Sequence, residues 1–469
     1  MALGQVAALA ALAATMVITP GPGRAQAAEA AGPASLAVLV VDVRARPVGQ
    51  LPPGFAGLSF ESAAASGGVN SGRFDVVGNL PQLLRTLGPG VLRFGGSSVD
   101  LAYSGASQGA LAGLRRLADA TEWKVLYSEN LGRFNAPAVV GDARAVATVL
   151  GPDLLAFACG NEPNLYPDLG LRPAGYSPAD YLPEADACLN AVHSGAPDAP
   201  LAGPDLEPPS WLAPYALHER GRLALVTEHY YPLSDCAAQP GTATDLLSPA
   251  TAHAEADAAA KVEQDGAAAG APWRVSETNS AACSGIPGVS DTFAAALWAL
   301  DYALILAEHG AAGMNLHTSL SVGCDAYSPV CATAPGHYLA RPVYYGLLAL
   351  RTLGTGQLIP VHEHGAGNLA AHAVRDDGGG VRLAVENLGP TPVTTLLTVA
   401  GTPMRGASIG WLTAPSVTAT GGVTLDGASV DDTGTFAPSP DSALACTHAL
   451  CPITLPAHSA ALILVPRSR

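Results

Sequence analysis

The chain reads as an α/β protein, a (β/α)8 TIM barrel with an appended β-sandwich. Three observations carry that expectation. Between residues 51 and 355, short apolar runs alternate with amphipathic segments, as in a parallel sheet covered by helices. Beyond about Pro360 the helical spacing gives way to β-type runs separated by Gly, Pro, Thr and Asp, which suits a sandwich. The length, 469 residues, accommodates a barrel of roughly 250 residues or more together with a second module.

In chain order, an Ala/Leu/Val run from Val6 to Ile18 precedes Gly, Pro and then Ala25-Gln26-Ala27. That order predicts a secretory signal over residues 1–27 and a secreted product, extracellular or periplasmic. No later stretch has 18 uncharged apolar residues, so no membrane partner is expected. Residues 28–50 contain a strand-like alternation, Ser35 to Pro47, expected to pair with the C-terminal module. Candidate barrel strands are Phe55–Phe60, Val91–Phe94, Lys124–Tyr127, Leu154–Ala158, Leu201–Gly203, Leu225–Tyr230, Trp273–Ser276 and Gly313–His317. Leu80–Leu87, Leu111–Ala118, Tyr181–His193 and Asp291–His309 read as helices between them. In the last, Phe293, Leu297, Leu300, Leu304 and Ala307 recur at helical spacing. Residues 356–469 supply the sandwich through Val381–Val385, Val393–Val399, Val423–Leu425 and Ala460–Val465.

A formal charge of −16 argues against a broad basic face for nucleic acid or sulfated polyanions. Eight cysteines fit an oxidising compartment. Cys324 with Cys331, and Cys446 with Cys451, can close small loops. Cys159 with Cys188, and Cys236 with Cys283, are left over and could pair; spacing alone does not fix the connectivity. No spacing matches a zinc site, and neither a metal nor a cofactor is expected.

The chemistry-bearing stretch is LLAFACGNEPNLY, Leu154 to Tyr166. An apolar run that halts on Gly160-Asn161-Glu162-Pro163 predicts a buried strand ending at a turn, and Pro163 keeps Glu162 out of a helix. WRVSET, Trp273 to Thr278, delivers a second carboxylate, Glu277, in the same way. In an eight-stranded parallel barrel both would project from the C-terminal mouth, ending strands four and seven. Two carboxylates so placed suit glycosidic-bond hydrolysis, one protonating the leaving oxygen and the other attacking the anomeric carbon or activating water. Asn161 could donate its amide to the sugar 2-hydroxyl.

Asn-Glu ending the fourth strand and Glu ending the seventh resemble the clan A retaining glycosidases. The strings VLRFGGSSVD (Val91–Asp100), GNEPN (Gly160–Asn164), HYYP (His229–Pro232), SETNSAACSG (Ser276–Gly285) and GVSDTFAAALWALDY (Gly288–Tyr302) resemble glycoside hydrolase family 79, the family of β-glucuronidases and heparanases. The likeness runs over roughly residues 50–350. It implies Glu162 as acid/base and Glu277 as nucleophile, with Glu61 and Asp100 as sugar-hydroxyl ligands. It also places Tyr230 against the nucleophile or the sugar carboxylate. In bacterial β-glucuronidases a loop with Tyr, Ser and Gly holds that carboxylate; here the matching residues are Cys283, Ser284 and Gly285, without the tyrosine. Tyr327, after strand eight, is a candidate to supply a phenol instead.

The resulting expectation is a secreted, retaining exo-β-glucuronidase acting on terminal glucuronate or its 4-O-methyl form. An endo-acting heparanase-like enzyme and a non-catalytic carbohydrate-binding barrel are the rivals. Two other patterns are read as structural. Gly105-Ala106-Ser107-Gln108-Gly109 fits a serine-hydrolase elbow but lacks a firm strand before it. His362-Glu363-His364 reads as a solvated strand without a third metal ligand. His317, near the last barrel strand's end, suits either a structural or a ligand-contacting role.

Overall fold

The computed structural model of the protein describes residues 35–65, 74–207, 209–365, 367–447 and 450–467. The signal-like segment 1–27 lies outside them. Eight parallel strands form one sheet: Ala56–Glu61, Val91–Gly95, Lys124–Glu129, Leu154–Cys159, Ala202–Leu206, Leu225–Tyr230, Trp273–Thr278 and Met314–His317. The eighth returns beside the first through Met314 and Ala56. Between the fourth and fifth the ladder narrows to a single bridge, Phe157 to Leu201, where the Phe157 N–H donates to Pro200 O at 2.9 Å. The sheet is thus a TIM-like barrel. Its axis is filled by small and branched side chains, among them Val91, Leu126, Ala156, Ala158, Ala202 and Leu225. The alternate residues of each strand face the helices and join the large core.

Each strand starts within one residue of its expected position, and all but the sixth and eighth run on at the C-terminal end. The reason is chemical. Apolar character marks a strand only while both faces are dry, and at the mouth the inward positions change to Glu, Ser, Asp and His. The fifth strand shows this most: Gly203-Pro204 reads as a stop, yet pairing with the sixth strand continues from Pro204 to Leu206 around a bulge at Asp205.

Two further sheets make the sandwich. Ser35–Val41 lies between Val361–Gly365, antiparallel, and Val393–Val399, parallel; Cys451–Leu455 flanks the latter. The second sheet orders Gly49–Leu51, Gly356–Ile359, Leu369–Arg375, Val381–Asn387, Ser459–Val465, Ser408–Thr413 and Thr424–Leu425. Leu39, Val41, Leu383, Val385, Leu397 and Ile463 fill the space between them. The N-terminal strand pairs with both neighbours and turns Leu39 and Val41 into that core, while its other face is open at Leu36 and covered at Val38. The His362–His364 segment is an exposed edge strand, and Ser107 caps the helix Gln108–Thr121 by accepting from Ala110 N.

Barrel and sandwich meet along the helix Phe293–Glu308. Every residue of it from Phe293 to Ala307 is buried, so it is apolar on all sides except at a few charged points. Those points are matched. His372, on a sandwich strand, contacts Asp301 through Nε2 and Glu308 through Nδ1, both at 2.8 Å. Burial alone would lower the imidazole pKa; the two carboxylates outweigh it and raise it to about 10. A folded pKa of about 10 against roughly 6.5 unfolded means that His372 stabilises fully below about pH 6.5 and loses its contribution as pH rises towards 10. Glu386, buried alongside and pushed up by burial and then by Asp301, acts in the same direction. We therefore expect unfolding free energy to fall between pH 6.5 and 10 in the parent protein. His372→Leu should be roughly 3–5 kcal/mol less stable at pH 6 and show a shallower pH dependence, as measured by denaturant titration.

Candidate active site

The seventh strand carries Glu277 to the barrel mouth, where it registers against His229 of the sixth. Only 8% of Glu277 is exposed. Its Oε2 accepts from Arg93 Nη1 at 2.5 Å and lies 3.4 Å from His317 Nδ1; its Oε1 accepts from the Tyr231 hydroxyl at 2.8 Å. Burial by itself would raise this carboxyl's pKa. His317, His229 and Arg93 overcome that effect and hold it well below the usual carboxylate range. Glu277 is therefore an anion through the mildly acidic range.

Glu162 follows the fourth strand in a left-handed conformation, φ 48°. That is a strained setting for a non-glycine residue, worth on the order of 1–3 kcal/mol, and such strain gathers at sites where a side chain must be aimed. Two contacts hold it there: its N–H donates to Asp205 O at 2.8 Å, and Pro163–Leu165 forms a tight turn immediately after. Gly160 before it, φ 79°, lies so near Tyr166 that a Cβ would come within 2.5 Å of the phenol oxygen. The Glu162 Oε1 is 2.9 Å from His229 Nδ1. One oxygen from each glutamate and a nitrogen of His229 all lie within 4.8 Å of one another.

Beneath the two carboxylates sits Arg93, from the second strand, fully buried. It donates to Glu277, to Ser59 Oγ, to Asn161 Oδ1 at 2.9 Å and to Asp205 Oδ2 at 3.0 Å. Asp205 in turn accepts from Ser276 Oγ at 2.6 Å and Ser128 Oγ at 3.2 Å. Burial would raise the Asp205 pKa, but Arg93, then His229, bring it below its ordinary value. A positive guanidinium between two buried carboxylates fixes residues from five strands and from the turn after the fourth in one arrangement.

The residues expected from the sequence fall into two groups. Glu162, Glu277 and Asn161 converge, and Glu61 stands at the rim, accepting from Ser98 N at 2.8 Å and 3.8 Å from His317 Nε2. Ser284, Gly285 and Tyr327 form one wall: Ser284 and Tyr327 bond through their side chains, and Ala326 N donates to Ser284 O at 2.9 Å. The Cys236–Cys283 disulfide ties that wall to the loop after the sixth strand. Asp100 stands elsewhere. It is 0% exposed, and its oxygens accept from the backbone N–H groups of Leu131, Gly132 and Asn161. It positions Asn161 from behind and leaves no oxygen for a sugar. Tyr230 also faces away, its ring 5.8 Å from that of Tyr302. Strand alternation is the reason: with His229 turned to the barrel axis, Tyr230 points at the helices, and Tyr231 turns back inward to Glu277.

All four cysteine pairs expected from the sequence are disulfides in the structure. Glu162, His229 and Glu277 have the spacing of metal ligands, but Arg93 and His317 already place positive charge on Glu277. Asp186, His218 and Glu219 form a second such trio, with Arg222 Nη1 at 2.9 Å from Asp186. Neither arrangement favours a cation. No helix among the described residues is long and apolar enough to cross a membrane.

No protein-family model matches the chain. Among characterised proteins, it is 27% identical over 265 residues to a β-glucuronidase of Aspergillus niger, covering 51% of this chain and 48% of that one. It is 28% identical over 226 residues to a β-glucuronidase of Neurospora crassa, covering 43% and 40%. The matched region thus spans about half the length of these relatives. In structure, it resembles a 4-O-α-L-rhamnosyl-β-D-glucuronidase of Fusarium oxysporum, with TM-score 0.74, 19% identity, and 91% of this chain and all of that one covered. It also resembles a family 51 arabinofuranosidase of Xanthomonas axonopodis, with TM-score 0.71, 14% identity, and 92% of this chain and 100% of that one covered. These structural likenesses concern the fold.

Proposed function

We propose that the protein is a retaining glycoside hydrolase, a β-glucuronidase of the family 79 type that removes terminal β-linked glucuronate. The observation that carries the proposal is the pair Glu162 and Glu277, with carboxylate oxygens within 4.8 Å at the barrel mouth. Retaining enzymes hold their two carboxyl groups about 5–5.5 Å apart, whereas inverting ones need roughly 6.5–9.5 Å to admit water. The likeness to two fungal β-glucuronidases supports the sugar class.

In the proposed reaction Glu277 attacks the anomeric carbon as Glu162 protonates the departing glycosidic oxygen, breaking the C–O bond and leaving a glycosyl ester. Glu162 then takes a proton from water, the water oxygen attacks the same carbon, and Glu277 leaves as a carboxylate. His317, His229 and Arg93 keep Glu277 ionised between turnovers. The sugar carboxylate would rest against the Cys283–Gly285 wall. Cys283, Ser284 and Gly285 take φ of 61°, 73° and 82°. A run of turn backbone of this kind directs N–H groups to one side, as anion-binding concavities do. The Tyr327 phenol would take the place of the absent tyrosine. The four disulfides support an exported protein, and a carbohydrate is the expected partner.

The test is hydrolysis of a chromogenic β-glucuronide beside the matching β-glucoside and β-galactoside at mildly acidic pH. A strong preference for the glucuronide is expected. Preference for a neutral sugar would refute recognition of the carboxylate, and no turnover of any of the three would refute the exo-glycosidase. Within the same assay, Tyr231→Phe removes one hydrogen bond to a charged oxygen and should lower kcat on the order of tenfold to a hundredfold. Tyr230→Phe should leave it nearly unchanged.

A further inference from the structure

Outside the catalytic mouth, a second cavity of about 360 Å³ opens on the flank of the barrel between the loops following the second and third strands. Its volume lies within the range of roughly 300–1,000 Å³ usual for small-molecule sites. Tyr103, Ser104, Glu129, Asn130, Arg133 and Asp142 contribute its polar lining. Glu129 ends the third strand facing the helices, opposite to Ser128, which points to the axis and bonds Asp205. It is 3% exposed, and its Oε1 has no hydrogen-bond partner. A buried carboxyl oxygen left unpaired is unusual in a native structure and calls for a ligand atom or water.

The surroundings define the chemistry of what would fit. Asp142 accepts from the Tyr127 hydroxyl at 2.8 Å, and the Tyr103 hydroxyl adjoins that of Tyr127. Burial, and then Asp142, push the Glu129 carboxyl well above its usual range, so it keeps its proton and can donate as well as accept. Burial likewise raises Asp142, to about 6. An anion would meet Asp142, and a divalent cation would find one ionised carboxylate with Arg133 on the lining. A neutral polyol meets a carboxyl, a carboxylate and an amide, each able to bond a hydroxyl group.

We propose that this cavity is an accessory binding site for a neutral sugar residue, with the Glu129 carboxyl as its anchor and Asp142 as its second contact. The site is distinct from the Glu162–Glu277 pair and does not depend on how that pair acts. It would hold a neutral portion of a larger glycan while the mouth works on another.

Binding of D-galactose and L-arabinose to the full chain, measured by saturation-transfer NMR and calorimetry, tests this. Two variants separate the site from the mouth. Glu129→Leu removes the anchor. Ala138→Trp, at the cavity rim, fills the opening without touching the buried carboxyls. Both should weaken binding by about tenfold or more, while hydrolysis of a small chromogenic glycoside by Ala138→Trp stays at the parent rate. Unchanged affinity in Ala138→Trp, absence of binding by the parent chain, or binding of calcium at this cavity in preference to either sugar would overturn the proposal. Loss of glycoside hydrolysis in the parent with sugar binding retained would overturn the catalytic reading and leave this one standing.

Discussion

Replacing Glu277 by Gln is expected to reduce glycoside turnover on the order of 10⁴-fold or more, the scale seen when a catalytic nucleophile is lost. The fold should survive, because the Gln amide oxygen can still accept from Arg93, whose contact is made at 2.5 Å, while the amide nitrogen can donate to the Tyr231 hydroxyl oxygen, 2.8 Å away in the parent. A sharper check uses Glu277→Ala with azide, a small anion that fits the vacated volume. With the covalent path removed, azide would attack from the nucleophile's side and yield an α-glycosyl azide. In Glu162→Ala the ester would still form, and azide would resolve it to the β product. An α product from Glu277→Ala with a β product from Glu162→Ala would assign both roles; the exchanged pair would reverse the assignment, and the same product from each would dismiss it.

Arg93→Met should lower both stability and activity. It removes the guanidinium bonded to both Asp205 and Glu277 and strands Asp205, which is fully buried. Breaking a buried ion pair from one side costs roughly 3–5 kcal/mol, measurable as a lower denaturation midpoint. It should also raise the pKa of Glu277, because Arg93 is one of the charges holding that carboxyl low. The acid limb of the pH–rate profile would then move to higher pH. Arg93→Lys should recover part of the stability, since an ammonium cannot serve Asp205, Glu277 and Asn161 together. An unchanged acid limb in Arg93→Met would show that the histidines alone govern Glu277.

The parts of this architecture that were legible in the sequence share a cause. Barrel strands dry on both faces are apolar throughout, so their starts are plain, and glutamates that terminate such runs stand out at 162 and 277. Side-chain direction was harder. HYYP contains two adjacent tyrosines, and a motif likeness does not say which faces the axis; two-residue alternation from His229 would have chosen Tyr231. Arg93 sits in VLRFGG among apolar neighbours, where a charge looks like a solvated interruption, yet it is the centre of the site. Asp205 was hidden by Gly203-Pro204, a pair that usually ends a strand. Asp100 shows the reverse error, a carboxylate beside a strand end whose backbone partners, Leu131, Gly132 and Asn161, come from segments no local pattern could connect.

The helix Phe293–Glu308 has a consequence for how the protein can be divided. Because it is buried on every side by barrel, neighbouring helix and sandwich together, removing the sandwich would leave a long oily surface and the bare charges of Asp301 and Glu308 facing water. The two layers are then a single thermodynamic unit. Heating should melt them in one transition, and a barrel produced alone would aggregate before it could be assayed.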